Sequence, residues 1–122
     1  MKKNYSILLT FLLCFSFSFS QTIQEQIDAA VEGSTVTISA DNYILDATIV
    51  IDKDINLTCD TPGDCFIDAT GVEGAFSITA CGADISGFNI QGGENTTWGI
   101  SVNTPGLSCS GSEISNNTIS GM

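Results

Sequence analysis

Apolar residues recur with two different periods along this chain, and the change comes at Gly33. Over residues 22–32, Ile23, Ile27, Ala30 and Val31 fall at i, i+4, i+7 and i+8, which places them on one face of a helix. Thr22 with Glu25 three residues later reads as a capping box, and Gly33 supplies the stop. From Ser34 onward, short β-branched and apolar runs alternate with Gly, Asn, Asp, Ser and Thr. That is the chemistry of strands and turns, with no further helical period.

The strand runs repeat. Phe76-Ser77-Ile78 matches Ile100-Ser101-Val102 at an offset of 24, and Ile85-Ser86-Gly87-Phe88-Asn89-Ile90 matches Ile114-Ser115-Asn116-Asn117-Thr118-Ile119 at 29. The difference, 29 − 24 = 5, is an insertion around Cys109. Upstream, Ile49-Val50-Ile51 precedes Phe76-Ser77-Ile78 by 27, and Ile55-Asn56-Leu57 precedes the run at Ile85 by 30. A unit of roughly 23 to 30 residues with three short strands fits a chain wound so that equivalent strands stack in parallel, about 4.8 Å apart. Phe76 and Ile78 then lie between Ile49 with Ile51 and Ile100 with Val102, Ile85 lies next to Ile114, and Ile90 next to Ile119. An immunoglobulin-like sandwich also has short strands, but its antiparallel strands have no reason to recur at one coil length.

The opening segment Thr22-Ile23-Gln24-Glu25-Gln26-Ile27-Asp28-Ala29-Ala30-Val31-Glu32-Gly33, the following Ser34-Thr35-Val36-Thr37-Ile38 with Tyr43, and the ending Ile114-Ser115-Asn116-Asn117-Thr118-Ile119-Ser120-Gly121 resemble the right-handed parallel β-helix proteins of the pectate-lyase-like group, including secreted bacterial surface proteins. The resemblance runs from Thr22 to Met122. It implies an all-β, right-handed parallel β-helix of three to four coils over residues 34–122, with residues 21–33 as an N-terminal capping helix. It says little of function, since that fold carries lyases, hydrolases, epimerases, esterases and adhesins. The chain stops in the turn after Ile119 without a closing element, so the expectation is the N-terminal part of a longer protein whose uncovered last coil invites self-association.

Ahead of the helix, Lys2 and Lys3 precede a mostly apolar run over 7–19, and Ser18 and Ser20 stand where a signal peptidase reads. Residues 1–20 are thus expected to be an export signal, which places the mature chain outside the cell or on its surface. The run is shorter than the ~20 residues that span a bilayer. A lipoprotein signal would have a small residue before Cys14, where Leu13 stands. Export leaves Cys59, Cys65, Cys81 and Cys109, an even set in an oxidising compartment, which reads as two disulfides. Zinc is the rival, without a paired Cys-x-x-Cys or any His to complete it. The repeat register pairs Cys59 with Cys65 across an insertion of about 7 residues, and Cys81 with Cys109, offset by 28 and so on adjacent coils.

Composition then narrows the chemistry. All 14 acidic residues follow Ser20, and Lys53 is the single basic residue there, giving 1 − 14 = −13. Nucleic acid is a poor partner for such a surface. With no His and no Arg, histidine acid-base catalysis and arginine clamps are excluded within these residues. Lyases of the resembled fold require a basic residue, for which Lys53 is the one candidate, yet Asp52 and Asp54 flank it and favour its charged form. Its plain reading is a solvated turn. Hydrolases require paired carboxylates; Asp52 with Asp54 and Asp60 with Asp64 are the nearest pairs, and both lie in turn-like stretches where Asp is common for local hydrogen bonding. No catalytic residue is assigned. The functional expectation is a structural, adhesive or glycan-binding module whose partner is a polysaccharide or cell-surface glycan, the alternative being the N-terminal part of a polysaccharide lyase or glycoside hydrolase with its catalytic residues beyond Met122. No organic cofactor is expected, and a weak calcium site from turn carboxylates is the metal reading. Trp98, the sole Trp, is the candidate glycan contact, against a plain role of covering the apolar ladder at Ile100.

Overall fold

The computed structural model describes residues 22–104 and 112–122. The export signal expected over 1–20 and Cys109 lie outside the described residues. A short helix, α1 (Ile23–Ala29), is followed by three strands, β1 (Thr35–Ile38), β2 (Asn42–Ile44) and β3 (Ile49–Ile51). The next three are β4 (Asn56–Cys59), β5 (Cys65–Asp68) and β6 (Gly74–Ile78), and then come β7 (Asp84–Ser86), β8 (Phe88–Gln91) and β9 (Trp98–Val102). The last two are β10 (Ile114–Ser115) and β11 (Thr118–Ser120). Sheet A has the order β1-β4-β7-β10, sheet B β2-β5-β8-β11 and sheet C β3-β6-β9. Every pairing is parallel. The chain therefore passes from A to B to C and returns to A, each circuit of three strands pairing with the one before it. The architecture is all-β and parallel.

Alternation decides which side chains face inward. In β3 the pattern is buried, exposed, buried, and in β6 Phe76 and Ile78 are both fully buried. Across circuits the inward residues form ladders: Ile49, Phe76 and Ile100; Ile51, Ile78 and Val102; Ile85 and Ile114; Ile90 and Ile119. Phe76 of sheet C meets Phe88 of sheet B with ring centroids 5.3 Å apart, so the sheets share one core. Each fully buried Ile, Leu or Phe contributes about 1.5–3 kcal/mol relative to exposure.

One register departs from the sequence expectation. Leu57, and not Ile55, pairs with Ile85, an offset of 28 in place of 30. A shift of two residues keeps every side chain on its own face, so apolar alternation alone cannot separate the two registers. Leu57 to Ile85 is 28 and Cys65 to Phe88 is 23, so the insertion in the second circuit is 28 − 23 = 5 residues, 60–64, smaller than the 7 expected.

The helix begins as its sequence dictates, with the Thr22 hydroxyl accepting from the Glu25 N–H at 3.1 Å. It ends earlier than residue 32, because Ala30 is already extended at ψ 147°. At this end the Lys53 ammonium donates to the carbonyls of Ile27 (3.2 Å), Asp28 (2.6 Å) and Ala30 (2.9 Å), the first of which also accepts from the Ala30 N–H at 3.1 Å, and a cation is favourable at a helix C-terminus. Val31, expected on the buried face, lies past this end and is 75% exposed. Gly33 then turns the chain into β1 at φ +85°, a conformation that other residues rarely adopt. The helix packs on β1 and β3 through buried Ile23 and Ile27. Gln24 also pairs with the open edge of β3, its side-chain amide donating to the Val50 carbonyl at 3.0 Å and accepting from the Val50 N–H at 2.8 Å, as a neighbouring strand would. At this end Val36, Ile38, Ile49 and Ile51 are at most 9% exposed, whereas Val102, Ile114 and Ile119 in the outermost strands opposite are 44–49% exposed.

Candidate functional site

Sheet B carries the candidate site on its outer face. Its inward positions are Tyr43, Cys65, Ile67, Phe88 and Ile90, so the residues between them point outward. Register aligns these into two rows, Asn42, Phe66, Asn89 and Thr118 in one, and Ile44, Asp68, Gln91 and Ser120 in the other. Asn42, Ile44, Phe66, Asp68, Asn89 and Gln91 line a cleft of about 310 Å³. A second cleft of about 440 Å³ adjoins it around β2 and the start of α1, and the two share Asn42 and Ile44. Ile44 is 81% exposed and Phe66 45%, in positions where a solvated sheet face ordinarily carries polar side chains.

The electrostatics of this face are negative. Asp68 accepts hydrogen bonds from the Thr70 hydroxyl (2.7 Å) and the Thr70 N–H (3.0 Å), the former being the larger reason that its carboxyl titrates below its ordinary range. On the inward side, Tyr43 donates to the Ser39 carbonyl at 2.6 Å. Burial, followed by the charges of Asp41 and Asp60, raises its pKa and keeps the phenol neutral.

The residues singled out in the sequence are not gathered at one place. Lys53 stands in the half-exposed bend between β3 and β4, where its three hydrogen bonds hold its ammonium against the end of α1. Asp60 accepts from the Ala40 N–H at 2.9 Å, and Asp54 lies against Gly82, where an added Cβ would fall 3.0 Å from its Oδ1. Among the described residues, Cys59, Asp60 and Cys65 are the one group that brings three ligand-type atoms within 4.8 Å of one another. Those two sulfurs are bonded to each other, with Cα atoms 5.9 Å apart, so they offer no thiolate. The Cys59–Cys65 pairing is thus as the register required. Cys81 is also disulfide-bonded, and the expected pairing with Cys109 falls on a residue outside those described.

Trp98 belongs to sheet C, away from the cleft, and pairs with Gly74. Its six-membered ring lies on that glycine so closely that any Cβ there would overlap Cε3, Cζ3 and Cδ2. The turn before it is fixed by buried Thr96, whose hydroxyl donates to the Ala69 carbonyl at 2.6 Å and accepts from the Gly93 N–H at 3.0 Å.

Sequence reasoning missed the cleft residues, although a signal was there. Cys65-Phe66-Ile67 and Tyr43-Ile44-Leu45 are runs of three apolar residues where strict alternation allows two, and the middle one must face outward. No family model matches the chain, and neither the curated proteins nor the solved structures yield a match.

Proposed function

We propose that this chain is a secreted or cell-surface module, a right-handed parallel β-helix with α1 as its cap, that has a structural or adhesive role and holds a glycan on the outer face of sheet B. The β-helix reading is supported by the rotation of the strands through sheets A, B and C with every pairing parallel. Right-handedness is supported by the strong preference of parallel crossover connections for that hand. Export is supported by the charged and apolar pattern of residues 1–20 and by a disulfide, which persists in oxidising compartments.

The observation that carries the binding role is Phe66, 45% exposed in a cleft between Asn42 and Asn89 of the neighbouring strands. An aromatic ring packs on the C–H face of a sugar while amides on either side exchange hydrogen bonds with its hydroxyls. Affinity electrophoresis through gels containing a panel of soluble polysaccharides tests this. Retardation of the wild type by at least one polysaccharide, lost on Phe66→Ala, is expected; an unretarded wild type contradicts the glycan role.

A further inference from the structure

We infer that the cleft on sheet B selects an uncharged polysaccharide over an acidic one and holds it across the strands, along the direction in which the circuits stack. This rests on the glycan reading and adds the chemical class and the orientation of the ligand.

The charge argument has three parts. The cleft contains a carboxylate, Asp68, kept in place by two hydrogen bonds from Thr70, and no basic side chain lines it. Residues 22–122 hold 14 acidic side chains and a single cation, Lys53, whose ammonium is engaged by three carbonyls at the C-terminal end of α1. A uronate chain would therefore bring carboxylates towards a face with no positive charge to receive them, and like charges there are repelled. A bridging divalent cation would need a set of oxygen ligands. Of charged oxygen ligands the cleft lining supplies one carboxylate, Asp68.

The lining suits neutral hydroxyls instead. Asn42, Asn89 and Gln91 each present a donor and an acceptor, and Asp68 accepts from hydroxyl donors. These groups come from β2, β5 and β8, successive strands about 4.8 Å apart, so the cleft repeats its polar groups over about 10 Å perpendicular to the strands. The strand spacing of about 4.8 Å is comparable to the advance of one pyranose unit along an extended chain, whereas side chains along any one strand alternate between faces.

Calorimetric titration at low ionic strength, with neutral cello-, xylo- and manno-oligosaccharides against oligogalacturonates of equal length, separates the outcomes. Binding of a neutral oligosaccharide, at least tenfold weaker for every oligogalacturonate and about tenfold weaker for a Phe66→Ala variant of unchanged circular dichroism, is expected. Asp68→Asn should narrow the discrimination against oligogalacturonates. Oligogalacturonate binding equal to or tighter than neutral binding, with or without added calcium, overturns the charge selection while leaving the glycan role intact. Binding of neither class overturns the glycan role itself. Neutral binding that Phe66→Ala leaves unchanged places the ligand elsewhere and overturns the inference about the cleft.

Discussion

Sheets A and B each comprise four parallel strands over a shared core, and they differ in what they turn outward. Sheet A presents Thr35 and Thr37, Asn56 and Thr58, Asp84 and Ser86, and Ser115, every one of them short and polar. Some of these satisfy each other, the Ser86 hydroxyl donating to that of Thr58 at 3.2 Å. Sheet B presents Ile44 and Phe66 among amides and Asp68, and it is the face that carries the cleft. Stacking places no demand on outward positions, because the ladders of Leu57, Ile67, Ile85 and Ile90 already bury the apolar surface that stabilises both sheets. Sheet A therefore shows such a face built from short polar side chains alone. Large apolar side chains aligned with hydrogen-bonding groups on sheet B have no comparable structural reason, and that contrast carries the functional reading.

The largest effects should come from the inward side, where the two sheets are alike. Leu57→Ala in sheet A and Ile67→Ala in sheet B should each destabilise the chain by about 2–5 kcal/mol in urea unfolding. A loss confined to one of them would mean that the sheets do not share a core. Next comes the corner between them, where the Cys59–Cys65 disulfide joins the last residue of β4 to the first of β5. Replacing both cysteines by alanine should cost about 2–4 kcal/mol, and a midpoint within error of the wild type would show that the insertion at 60–64 is held by its backbone hydrogen bonds alone.

A smaller effect is electrostatic and confined to sheet B. The Asp68 carboxyl has its folded pKa below its unfolded one, so the stability it gains from Thr70 is complete above the ordinary carboxylate range and is lost as pH falls through the lower, folded value. The difference in melting temperature between wild type and Thr70→Val should shrink between about pH 5 and about pH 3. A difference that stays constant across that range would show that Thr70 acts by packing and not through the carboxylate.

Much of the stack was legible because its inward residues repeat. Ile49, Phe76 and Ile100 could be aligned from the sequence, and their pairing is the one observed. Alternation fixes a face but not a register, which is why Ile55 and Leu57 were equally good partners for Ile85 until the hydrogen bonds decided. The end of α1 was not legible, since Lys53, whose ammonium meets the carbonyls there, is more than 20 positions away in the turn between β3 and β4. At the site, Trp98 stood out as the sole Trp and its ring lies on Gly74, while Ile44 and Phe66 passed as ordinary strand residues because their outward direction appears only once the strands are paired.

The contrast between the two faces is tested most directly by amide chemical-shift mapping of the isotope-labelled chain titrated with a bound oligosaccharide. The account predicts shifts at Asn42, Ile44, Phe66, Asp68, Asn89 and Gln91 on sheet B, with Thr37, Thr58 and Ser86 on sheet A unmoved. Shifts that follow the hydroxyls of sheet A, or that gather around Trp98 while sheet B stays still, would contradict it.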